Sequence, residues 1–167
     1  MEMMKKFIIG MLVENKFGVL NRISGMFSRR GFNIDSLTVG VTENEQFSRM
    51  TVTMTGDDYA RDQMIKQLSK IQEVREIKQM NSDESVIREL VILKVKTTSE
   101  NRHEVMDAIN VFHAKITDYS PTAICLEITG ETAKLDAFIE IVRPFGIIEM
   151  CRTGAVAMQR GNASLKE

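Results

Sequence analysis

The segment Glu14-Asn15-Lys16-Phe17-Gly18-Val19-Leu20 carries the residue types of an anion-binding turn. It joins an apolar run, Phe7 to Val13, to a stretch in which Val19, Leu20, Ile23, Met26 and Phe27 recur along one helical face. A helix opening there leaves the backbone N–H groups of Gly18, Val19 and Leu20 without intrahelical partners, with the positive end of the helix dipole behind them. Such a terminus accepts a small carboxylate, and Gly18 lets a ligand approach the backbone with no Cβ in the way. Asn15 and Asn33 each offer a side-chain carbonyl to an ammonium and an amide N–H to a carboxylate, and those are the two charged ends of an α-amino acid. The same residues also suit a structural loop, in which Gly18 forms a tight turn, Asn15 caps the helix and Asn33 sits in the turn after Gly31.

Other chemistry is thinly represented. His103 and His113 are ten residues apart, not the three or four that put two ligands on one helical face, and there is no Cys-x-x-Cys pair, so no metal site is expected. Asp62, Glu104 and Glu140 fall at solvent-facing helix positions. Neither a Walker-type phosphate loop nor Gly-x-Gly-x-x-Gly occurs, and no nucleophile, base or acid set stands out, so no catalytic residue is assigned. The strand positions where an RNA-recognition motif stacks bases hold Met50, Val52 and Met54 or threonines. The loop after the first strand lacks the arginine an acylphosphatase needs. Cys125 and Cys151, each in an apolar strand-like run, are expected to be reduced, buried thiols.

Lys plus Arg number 22 against 23 for Asp plus Glu, a balance that draws neither nucleic acid nor anionic lipid. No run approaches the roughly 20 apolar residues of a bilayer span. Phe7 to Val13 is cut short by Glu14 and Asn15 and lacks a signal-cleavage site, so a cytoplasmic protein is expected.

The elements that would position the loop follow from apolar period. Leu37, Val39 and Val41 alternate with polar residues, as do Met50, Val52 and Met54, predicting a hairpin through Glu43-Asn44-Glu45. Asp57 or Asp58 caps a helix whose buried face is Met64, Ile65, Leu68 and Ile71, and a strand follows near Val74 to Met80. After the polar stretch 81–85, read as a linker, the order repeats: strand Leu90 to Val95, helix with Val105, Met106, Ile109 and Phe112, hairpin Ile116 to Ile128, helix with Leu135, Phe138, Ile139 and Val142, strand Ile147 to Cys151. The chain is therefore predicted to be α+β, with two ferredoxin-like βαββαβ domains in tandem: residues 1–80, a linker 81–85, residues 86–160 and a flexible tail 161–167. The sheet face away from the helices would carry Thr38, Gly40, Thr51, Thr53 and Thr55, and a second copy of the chain is expected to cover it.

Glu14-Asn15-x-x-Gly18-Val19-Leu20, Phe27-Ser28-Arg29-Arg30-Gly31-Phe32-Asn33-Ile34 and Ser36-Leu37-Thr38-Val39-Gly40 together resemble the opening of an ACT domain. With Ser48-Arg49-Met50-Thr51, Lys66-Gln67-Leu68-x-Lys70, Arg88-Glu89-Leu90, Lys134-Leu135-Asp136-Ala137-Phe138 and Arg152-Thr153-Gly154, the resemblance narrows to the regulatory small subunits of acetolactate synthase and covers nearly the whole chain. It implies a non-catalytic regulatory protein that activates a separate large subunit and conveys feedback inhibition, usually by valine. The large subunit would hold thiamine diphosphate, magnesium and FAD, and this chain no cofactor. The resemblance also implies a homodimer through paired ACT domains, with valine at their interface held by Asn15, Gly18, Val19, Leu20, Asn33 and Ile34, Asn33 facing the loop of the other chain. Phe17 stands where ACT loops often have proline, which leaves the loop less rigid. An ACT-type sensor serving a different biosynthetic enzyme is the alternative.

Overall fold

A computed structural model describes residues 4–165. Strands β1 (Lys5–Glu14), β2 (Ser36–Val41), β3 (Phe47–Gly56) and β4 (Val74–Gln79) and helices α1 (Val19–Arg29) and α2 (Asp58–Leu68) form the first βαββαβ set. Its antiparallel sheet runs β2-β3-β1-β4, so β1 and β3 are central, with Ile9 opposite Val52 and Met11 opposite Met50. Phe7, Ile9, Met11, Met50, Val52 and Met54 point toward the helices, which lower Val19, Ile23 and Phe27 from α1 and Met64 and Leu68 from α2 onto them. Asp57 caps α2, accepting the Ala60 N–H at 2.6 Å.

The second set comprises β5 (Ser85–Lys96), α3 (Arg102–Phe112), β6 (Lys115–Tyr119), β7 (Ala123–Gly130), α4 (Thr132–Val142) and β8 (Ile147–Arg152), with sheet order β6-β7-β5-β8. Val91, Leu93, Val95, Ile124, Leu126 and Ile128 meet Val105, Ile109, Leu135 and Phe138 in its core. A further strand, β9 (Val156–Gln159), pairs with β5. No helix among the described residues is long and apolar enough to cross a membrane.

The chain divides into two compact units, but not where composition alone would cut it. The second is Arg88–Thr153, and from Gly154 the chain returns to the first, which also runs through Ile87. The polar stretch 81–85 thus lies within the first unit, and β5 begins at its last residue. Leu165, in the segment expected to fray, is buried with Leu12, Met80 and Ala157 in a cluster on the outer face of the first sheet. That face is accordingly bare only in part: Thr51 and Thr53 are each only 2% exposed. The returning segment packs on part of this face, while Gly40 and Thr55 remain exposed.

The cysteines also differ from expectation. Cys125 is half-buried and Cys151 exposed, both free. β8 is an edge strand, and the register sets Cys151 beside exposed Ile92 on the face opposite the helices.

Candidate functional site

The loop between β1 and α1 is open. Gly18 is the N-cap of α1 with φ +82°, a left-handed conformation that glycine adopts without strain, and no side chain caps the helix. The first helical bond runs from Arg22 N–H to the Gly18 carbonyl at 2.9 Å, and Val19 N–H makes only a long bond, 3.4 Å, to the Lys16 carbonyl. The N–H groups of Gly18 and Leu20 have no partner among the described residues, as the start of a helix dictates. Nothing lies within 4 Å of where a Cβ on Gly18 would stand, and Phe17 beside it is fully exposed.

Asn15 does not cap α1. Its backbone N–H donates to the Gln46 carbonyl at 2.7 Å and its Nδ2 to the Glu45 carbonyl at 3.0 Å, tying the loop to the β2–β3 turn. Asn33 donates Nδ2 to Asp35 at 3.3 Å, and Asp35 accepts from the Thr55 hydroxyl at 2.7 Å. Val19 is buried in the core, so it can offer a ligand only its backbone, whereas Leu20 is 46% exposed. Ile34 packs against the same core.

The chain by itself does not bring these residues together. Gly18 precedes α1 and Asn33 follows it, and an 11-residue helix is roughly 16 Å long at 1.5 Å per residue. The structure groups Asn15, Gly18, Val19 and Leu20 at one end and Asn33 and Ile34 at the other.

The surroundings of the loop favour an anion. Glu14 pairs with Lys16 at 2.5 Å and with Arg75, so two cations meet one carboxylate. The Lys16 hydrogen bond, followed by that of Arg75, holds the Glu14 carboxyl below its ordinary 4.5 despite the opposing cost of burial. A carboxyl depressed in the folded state adds stability above pH 4.5 that is lost as pH falls from 4.5 through the lower folded value. Glu14→Gln is therefore expected to flatten the acid limb of a urea-stability profile over that interval, and an unchanged limb would show that the pairs contribute nothing.

In the second unit Glu89, 7% exposed, receives Arg152 as a fork: Nε to Oε1 at 3.0 Å and Nη2 to Oε2 at 2.9 Å. Arg152 also reaches Asp136 at 2.9 Å, and Thr132 donates to Glu89 at 3.3 Å. Thr153 bonds Leu90 in both directions, through its N–H and its hydroxyl. The sequence motifs around Glu89, Asp136 and Arg152 are thus one structural network. His103 and His113 stand exposed at opposite ends of α3. Among the described residues, no group of three or more His, Cys, Asp or Glu is placed to hold a metal ion.

The βαββαβ order, the sheet order and the open glycine loop define the first unit as an ACT domain, and the model for the AHAS small subunit-like ACT domain matches residues 9–76. The family model for the small subunit of acetolactate synthase matches residues 88–161. A chain from Archaeoglobus fulgidus named probable acetolactate synthase small subunit is 48% identical over 94% of this chain and 98% of its own. The acetolactate synthase small subunit of Mycobacterium bovis is 42% identical over 94% of both. The crystal structure of the acetolactate synthase small subunit from Thermotoga maritima superposes with TM-score 0.85 at 37% identity, covering 95% of this chain and 99% of that one. This chain belongs to the acetolactate synthase small-subunit family.

Proposed function

We propose that this protein is the non-catalytic regulatory subunit of a cytoplasmic acetolactate synthase, activating the large subunit and conveying feedback inhibition by valine in branched-chain amino-acid biosynthesis. The observation that carries the reading is likeness to small subunits across both units and over almost their full length. Thiamine diphosphate, magnesium and FAD belong to the large subunit, and this chain binds only the amino-acid effector.

The open N–H groups of Gly18 and Leu20, beside a cluster carrying one net positive charge, receive the carboxylate of valine. The ammonium goes to side-chain carbonyls. Asn15 and Asn33 each already use an amide N–H within the chain, which turns their carbonyl oxygens toward that role. Because Gly18 and Asn33 lie at opposite ends of α1, the Asn33 that completes the site comes from a second copy. Edge strand β2, with Val39 43% and Val41 58% exposed, is the surface that a second copy covers.

The test is reconstitution. The purified chain is expected to form no acetolactate from pyruvate, to raise turnover when added to the large subunit, and to make that turnover valine-sensitive. Turnover by the chain alone, or a large subunit indifferent to its addition, would refute the reading.

A further inference from the structure

From Gly154 the chain crosses the outer face of the first sheet, and the contact is fitted closely but left polar-imperfect. Gly154, at φ +81°, lies so near Ser36 that a Cβ there would stand 2.7 Å from the Ser36 Cβ. On β1, a Cβ on Gly10 would meet Met80 Cε at 2.5 Å, Arg49 Nη2 at 3.0 Å and Leu165 Cδ1 at 3.2 Å, so the missing side chain forms the socket into which Leu165 fits. Arg49 donates Nη2 to the Ala157 carbonyl at 2.7 Å. Its Nε, however, is buried with no partner, as is Oε1 of Gln159 on β9. Desolvation pushes the Arg49 guanidinium down from its usual value. Groups of this kind recover hydrogen bonds to water when a contact opens, so they oppose closure while Leu12, Met80, Ala157 and Leu165 favour it.

The same contact is wired to the effector loop. Asn15 holds the carbonyls of Glu45 and Gln46, and the next residue, Phe47, packs against the cluster of Leu12, Met80, Ala157 and Leu165. Arg49 is two residues further along β3. The backbone passes between the two units at Ile87–Arg88 and at Thr153–Gly154, and the latter opens directly into the segment on this face.

We propose that Gly154 to Leu165 is a strap that opens and closes on the outer face of the sensor sheet. An effector that orders the Asn15 loop closes the strap through Glu45, Gln46 and Phe47, and so passes the ligand state toward the second unit. The proposal rests on the reading of this chain as a valine-responsive subunit. Ordering of the loop steadies the β2–β3 turn and the Phe47 seat, which makes the closed strap the favoured state when ligand is bound.

The experiment is amide hydrogen exchange on the full chain, with valine binding followed in parallel by calorimetry. Saturating valine is expected to slow exchange across β9 by about tenfold, a coupling of ordinary allosteric size, and to leave β7 unchanged. Leu165→Ala, which empties the socket, should speed β9 exchange without ligand. Phe47→Ala should still bind valine within about threefold of the parent yet lose the β9 response, since it removes the relay and no ligand contact. If valine binds and β9 exchange does not slow, or slows equally in Phe47→Ala, the strap relay is wrong while the proposed function stands. If valine does not bind at all, both fall.

Discussion

Gly18→Asp is expected to abolish the valine response of the reconstituted synthase while leaving activation of the large subunit intact. The substitution sets a carboxylate beside the one that the helix N-terminus is proposed to receive, and like charges at that distance exclude each other. Loss of affinity beyond about a hundredfold, near 3 kcal/mol, is expected. Folding should survive, because a Cβ at this position meets nothing within 4 Å and the cost of φ +82° in a non-glycine residue is about 1–2 kcal/mol. Activation should survive as well, because it needs the docked subunit, whereas inhibition needs a ligand that discriminates two states. Asn33→Ala is expected to be milder: losing a hydrogen bond to a charged ligand costs about 1.5–3 kcal/mol, roughly ten- to a hundredfold. The measurement is acetolactate formation across a valine titration, with dimer mass and circular dichroism for each variant. A Gly18→Asp variant as valine-sensitive as the parent would remove this loop from the effector site, and joint loss of folding and activation would make it a structural turn.

Arg152→Ala is expected to destabilise the second unit by about 3 kcal/mol, near the lower end for breaking a buried ion pair because Arg152 itself keeps some solvent. Glu89, 7% exposed in the parent, would keep only the Thr132 hydroxyl, at 3.3 Å, in place of two charge-assisted bonds. Arg152→Lys keeps the charge without the planar fork and should lose roughly half as much. The double variant Glu89→Leu with Arg152→Met removes both charges and should recover most of the loss, since the greater penalty is the stranded carboxylate rather than the missing attraction. Urea denaturation followed by far-ultraviolet circular dichroism and by exchange of β5 and β7 amides reads all three. A loss under about 1 kcal/mol for Arg152→Ala would mean that Glu89 reaches water without its partner.

Much of this was legible in the amino-acid order because the signals are local. Period-two alternation in Met50-Thr51-Val52-Thr53-Met54 and helical spacing in Val19, Ile23 and Phe27 each mark the face that meets the core, and those faces are buried as the spacing requires; that Thr51 and Thr53 are buried too, the alternation does not say. The open helix start at Gly18 was equally legible, since unpaired N–H groups follow from where a helix begins. The β9 strand was not, although Ala155-Val156-Ala157-Met158 is a short apolar run: it falls within the predicted domain 86–160 with no element assigned, because a four-residue run has too little period to declare a strand until its partner is known. Cys151 looked buried because its neighbours are apolar, and only the strand order showed that β8 is an edge.

The sequence by itself determined the two βαββαβ sets, their cores and the open glycine loop before α1, because those depend on residues a few positions apart. Tertiary structure alone decided that residues after Thr153 belong to the first unit, that Ala157 and Leu165 pack on the outer face of its sheet, and that Glu89, Asp136 and Arg152 form one charged network. It also set Gly18 and Asn33 at opposite ends of α1 within one chain, in keeping with the expectation that Asn33 faces the loop of another copy. Each of these is a pairing across tens of residues, set by which surfaces remain to be buried once the local elements have formed, and apolar period carries no record of it.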